Sequence, residues 1–137
     1  MTEKEIYIEI AQRFIQSCRD QLANNINFQE TIGFNTYHAF ECIAGALISH
    51  LGHPVPKKHE RKLNSFVANY SHNPFAGVTP RQIAELAAIL NSMRNKYLYP
   101  YPTPIGWKAP KDQLTITEAR QLTSRVNGII NRLVGAM

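Results

Sequence analysis

Within eight residues, Arg94-Asn95-Lys96-Tyr97-Leu98-Tyr99-Pro100-Tyr101 gathers two cations, an amide and three tyrosines. Guanidinium and ammonium groups hold phosphate oxygens through charge-assisted hydrogen bonds. Tyrosine rings offer flat faces on which bases stack. At about 100° per residue, Arg94 falls in the middle of the apolar stripe formed by Ile83, Ala87, Leu90 and Tyr97. A charge on such a face needs a partner or a wet cleft, because burying it alone is costly. Glu41 has the mirror-image position, inside the stripe of Tyr37, Ala44, Ile48 and Leu51. Either Glu41 and Arg94 form an ion pair across a bundle, with no chemistry implied, or Arg94 faces a ligand. The wheel leaves both open, and the helix dipole favours a cation in these last turns in any case.

A second cluster is Lys57-Lys58-His59-Glu60-Arg61-Lys62. Its cations open a helix, where the dipole disfavours them. Such a run is either a phosphate-binding patch, centred on Lys58 and His59, or a solvated charged face. His38, His50, His53 and His72 lack metal-ligand spacing on one helix, and no cofactor fingerprint is present. No metal and no cofactor are therefore expected. Cys18 and Cys42 have no CxxC partner and read as small apolar fillers.

Five helices must position these groups. The first spans about Thr2 to Asn24, opened by a Thr2/Glu5 capping box, with Ile6, Ile10, Phe14, Cys18 and Leu22 at helical spacing. Asn25 to Asn35 is polar and reads as a loop. The second helix runs from about Thr36 to Leu51 and the third from about His59 to Tyr70, followed by a turn-rich Ser71 to Val78. The fourth begins at a Thr79/Gln82 capping box with Pro80 at its first position and ends before Pro100. Tyr99 to Gln113, rich in proline and carrying Trp107, reads as a long loop of the kind that often serves function, with the tryptophan packed down as its default. The last helix starts near Thr117, with Ala119, Leu122, Val126, Ile129 and Leu133 inward. No strand alternation and no repeat interrupts this pattern. The expected fold is all-α: one domain over residues 1–137, an antiparallel bundle of four main helices and one short one.

The 137 residues, 44% of them hydrophobic, suffice for one core, and the net charge of +5 permits an acidic partner such as RNA without requiring it. The longest apolar run, Ile43 to Leu51, is broken by Gly45, Ser49 and His50, and Met1 to Glu5 lacks a signal-peptide layout. A soluble, cytoplasmic protein with no membrane partner is expected.

The helix order, the chain length and the segment from Arg94 to Tyr101 resemble the HEPN family. Many of its members look like metal-independent ribonucleases whose motif is Arg, often followed by Asn, then four to six residues and a His. Arg94 and Asn95 match the start. The histidine positions hold Tyr99 and Tyr101, and tyrosine is a poor base at neutral pH. The Leu98-Tyr99-Pro100 ending also resembles relatives without the histidine, regarded as nucleotide-binding. His59 resembles a position where the family often has a histidine.

The resemblance implies a homodimer with a shared Arg-lined cleft that binds nucleotide or RNA. Arg94, Asn95 and Tyr99 would be its central groups, with Lys96, Tyr97, Tyr101, Lys58 and His59 as binding residues. In some members a nucleotidyltransferase partner adenylylates a tyrosine at the position of Tyr101. The alternative to base stacking is that Tyr97, Tyr99 and Tyr101 simply pack a loop. Two further readings stand beside binding: an endoribonuclease toxin of a toxin–antitoxin pair, with Tyr99, His59 or His38 replacing the motif histidine, and a non-catalytic interaction module.

Overall fold

The computed structural model describes residues 1–75 and 77–137; Ala76, within the expected Ser71 to Val78 loop, lies outside them. The elements are α1 (Glu3–Ala23), α2 (Gln29–His50), α3 (His59–His72), α4 (Pro80–Leu98), a hairpin of β1 (Tyr101–Thr103) and β2 (Gly106–Lys108), a 3₁₀ turn (Pro110–Asp112) and α5 (Ile116–Ala136).

The second helix is the hub. Fourteen of its 22 residues are buried, which is what a helix surrounded by others requires. It packs against α1, α3, α4 and α5. Close approach rests on two glycines. The Tyr7 ring of α1 lies against Gly45, and Tyr97 of α4 lies against Gly33 beside Leu114. Phe40 and Phe66 meet edge to face with centroids 5.5 Å apart and join α2 to α3. A small polar knot lies inside: the Thr36 and Thr123 hydroxyls are 3.0 Å apart, and the Cys18 thiol is 3.5 Å from Thr36. Both cysteines are buried and free.

The capping boxes at Thr2/Glu5 and Thr79/Gln82 both form, and Thr115 with Glu118 makes a third, so α5 begins at Ile116. Four expectations are corrected. Most of the polar-looking Asn25 to Asn35 is helical, because Ile32 and Gly33 are core residues and α2 starts at Gln29. The face that α1 buries is Ala11, Ile15, Cys18 and Leu22, leaving Ile6 45% exposed; α5 buries Ile130 in preference to Ile129. The long loop contains an antiparallel hairpin, Tyr101 paired with Lys108 and Thr103 with Gly106. Pro102 is accommodated because β1 has a free edge, and Gly106 takes a φ of 142° just after the turn. No helix among the described residues is long and apolar enough to cross a membrane.

Candidate functional site

A cleft of about 660 Å³ opens between the start of α3 and the second half of α4. Lys58, His59, Glu60, Arg61 and Asn64 form one wall and Asn91, Arg94 and Asn95 the other. On α4 these three share a face because i, i+3 and i+4 are neighbours on a helix surface. Lys58 is the N-cap of α3 and supplies no side-chain capping bond. The basic run thus stands at the positive end of a helix, where an anion is doubly favoured.

Behind this wall lies a buried carboxylate. Glu41 is 2% exposed. One of its oxygens bonds Nδ1 of His59, and the other lies 3.3 Å from Nζ of Lys62. Burial alone would raise the Glu41 pKa. The hydrogen bond from His59 and the charge of Lys62 outweigh it and hold the carboxyl below its ordinary value. An ionised carboxylate only accepts, so Nδ1 carries the proton. A neutral His59 therefore has its lone pair on Nε2, the nitrogen that Glu41 does not engage. The His59 side chain is half exposed and lines the cleft.

Of the two readings left open for Arg94, the Glu41–Arg94 pair does not form. His59 and Lys62, three residues apart on α3, take both carboxylate oxygens. Arg94 instead lies over the Tyr37 ring, its Cζ 5.9 Å from the centroid, one turn before Glu41 on α2. The Arg94 Nε is buried without a hydrogen-bond partner, while the buried Tyr37 hydroxyl lies near the Glu41 carboxylate. Burial, reinforced by the Glu41 carboxylate, pushes the Tyr37 pKa far up, so the phenol stays protonated. The interaction-module reading, which drew on a Glu41–Arg94 pair, loses that support.

The remaining candidates are dispersed. Tyr97 is buried against Gly33 and 3% exposed, so its ring is closed to any base. Tyr99 and Tyr101 are exposed beyond the end of α4 and do not line the cleft, and Lys96 is exposed outside it too. His38 lies edge-on to Phe14 at 4.6 Å and 3.7 Å from the Cys42 sulfur. Burial holds its pKa below the usual histidine value, and it is not part of the cleft wall. Lys62 departs from the solvated face expected of its run: it is buried, with Nζ also 5.6 Å from the Tyr7 ring centroid. Trp107 is 76% exposed where packing was the default. Asn64 and Asn91 were not singled out in the sequence, and Arg61 only as part of the basic run. For Asn91 a signal existed, its place one turn before Asn95.

A HEPN domain family model matches residues 5–136, nearly the whole chain. The chain belongs to the HEPN family. No curated protein and no solved structure shows significant similarity to it. The family is one of nucleotide- or RNA-binding and ribonuclease domains. In this HEPN chain, Arg94 and Asn95 of the motif stand in the cleft, while the histidine positions, Tyr99 and Tyr101, fall outside it. The imidazole in the cleft is His59, which comes from α3.

Proposed function

We propose that the α3–α4 cleft binds the phosphate of RNA or of a nucleotide, with Arg94 as its anchor. The observation that carries this reading is the half-buried Arg94, whose Nε has no protein partner although it is shielded from solvent. A buried donor left unmade is costly, and an anion in the cleft would satisfy it. Lys58 and Arg61 add charge against the single carboxylate of Glu60, and Asn91, Asn95 and Asn64 supply amides for sugar or base edges. The protein acts as a homodimer, as HEPN domains often do, beside a nucleotidyltransferase or another partner.

The test is a nucleotide and RNA titration of wild type and Arg94→Ala. A charge-assisted hydrogen bond is worth about 1.5–3 kcal/mol, so affinity should fall about 10- to 150-fold. Unchanged affinity in Arg94→Ala would overturn the reading.

The His59–Glu41 contact favours a second reading, the metal-independent endoribonuclease. Nε2 of His59 would take the 2′-hydroxyl proton as O2′ bonds to phosphorus. Arg94 would hold the charge that develops on the phosphoryl oxygens. As the P–O5′ bond breaks, the same proton passes to O5′, leaving a cyclic phosphate and a 5′-hydroxyl. Cleavage in EDTA that is lost in His59→Ala and restored by added imidazole supports this; cleavage that persists in His59→Ala excludes it.

A further inference from the structure

Beyond the cleft, the β1–β2 hairpin projects from the bundle. It makes few contacts with the helices and is tethered at its base, where the Gln113 amide donates to the carbonyls of Tyr99 and Lys108. Its side chains are left in solvent: Ile105 is 99% exposed, Trp107 76%, Tyr99 57% and Tyr101 52%. Exposed aromatic surface of this extent calls for a ligand or a partner.

The register says which. Pro102 faces Trp107 across the strands, and Tyr101 faces Lys108. Cross-strand partners share a face and successive residues alternate, so Trp107 and Tyr101 lie on opposite faces. One face carries Trp107 with Pro102 across from it and the exposed Ile105 in the adjoining turn, and the other carries Tyr101 with Lys108. Each face carries one exposed aromatic ring, and Tyr101 has a cation directly across from it. Lys96, Lys108 and Lys111 are exposed around the hairpin, with Asp112 as the nearby carboxylate. Isolated rings interleaved with cations match the alternation of bases and phosphates along a single strand. A duplex keeps its bases stacked on each other and would leave the rings unused.

The hairpin also follows directly from the cleft. From Arg94 to Tyr101 the chain runs four residues in helix and three beyond it, a reach of at most about 17 Å. A strand of a few nucleotides can bridge that distance.

We propose that the hairpin is a second subsite of the cleft, and that the ligand is a single-stranded RNA segment longer than one nucleotide. A phosphate is held at Arg94, and bases further along stack on Trp107 and Tyr101. The inference rests on the phosphate-binding reading of the cleft.

Trp107 is the only tryptophan in the chain, so intrinsic fluorescence reads the hairpin alone. Wild-type protein in EDTA would be titrated with a short single-stranded RNA oligomer, with AMP and with duplex RNA, with calorimetry alongside. The oligomer should quench Trp107 emission, while AMP binds without quenching and duplex RNA binds more weakly. Base–aromatic stacking contributes about 1–3 kcal/mol. Trp107→Ala should therefore weaken oligomer binding about 5- to 150-fold and leave AMP binding unchanged, whereas Arg94→Ala weakens both. Oligomer binding that is lost in Arg94→Ala but unaffected by Trp107→Ala overturns the hairpin subsite and leaves the cleft standing. Trp107 emission that is blue-shifted without RNA, in proportion to protein concentration, assigns the hairpin to a protein interface and also overturns it. No binding of any of the three ligands overturns both readings.

Discussion

Arg94 lies over the Tyr37 ring and not beside Glu41, with its Cζ 5.9 Å from the ring centroid. The ring holds the guanidinium through its face and leaves the N–H donors uncommitted. An ion pair with Glu41 would have spent those donors inside the protein. The arrangement thus keeps a cation in place while leaving it able to bind.

The ring, and not the hydroxyl, is what Arg94 uses. Tyr37→Phe should therefore preserve ligand affinity. It should cost no more than about 1 kcal/mol of stability, the loss of the hydroxyl beside the Glu41 carboxylate. Tyr37→Leu should weaken ligand binding by loosening Arg94. Urea denaturation and a nucleotide titration of both variants check this.

Glu41 gives the fold an acid limit. Its folded pKa lies below the ordinary carboxylate value, so the unfolded chain binds the proton more readily. The stabilisation is complete above the unfolded carboxylate pKa of about 4.3 and is lost as pH falls through the lower, folded value. Glu41→Gln removes that dependence. It also strands a buried Lys62, at a cost of about 3 kcal/mol. Denaturation curves collected from neutral pH downward should show a steep acid loss in wild type and a smaller one, from a lower starting point, in the variant.

Gly33→Ala should disturb the seat of the cleft from below. A Cβ there would lie 2.7 Å from Leu114 and 2.8 Å from Tyr97, and both side chains are buried. Overpacking of this kind costs about 1–3 kcal/mol. The thermal midpoint should fall, and amide exchange should quicken first in the last turns of α4.

Gln113→Ala should free the hairpin without harming the bundle. Both hydrogen bonds of its amide go to the hairpin base, and the hairpin contributes little to the core. Amides of Tyr101 to Lys108 should exchange faster while the urea midpoint stays within about 0.5 kcal/mol of wild type.

Much of this architecture was legible in the chain. The Thr79/Gln82 box with Pro80 fixed where α4 begins, and the stripe through Ile83, Ala87, Leu90 and Tyr97 fixed the face it buries. Arg94 stood out because a charge broke that stripe. The start of α2 was hidden because Phe28, its N-cap, makes no side-chain capping bond and the first turns are polar. The core role of Ile32 and Gly33 depends on Leu114 and Tyr97, far along the sequence. The partners of Glu41 were beyond a helical wheel, which shows that a charge faces inward but not which neighbouring helix meets it. His59 and Lys62, spaced i and i+3 inside a basic run, looked like solvent-facing charges. The hairpin was masked by Pro102 and Pro104, which read as loop punctuation although an edge strand and a turn tolerate them.

Glu41 grips α3 at two points one turn apart, through His59 and Lys62. Two attachments on one helix face set the angle to which the helix is rolled about its own axis, which apolar packing of Leu63, Phe66 and Tyr70 alone fixes less sharply. Roll determines how far Lys58, Arg61 and Asn64 stand from Arg94, and so the spacing of the jaws. The aperture of the cleft is accordingly governed by a carboxylate that no ligand would touch. A change at position 41 would alter what the mouth admits before it altered any group that does the holding.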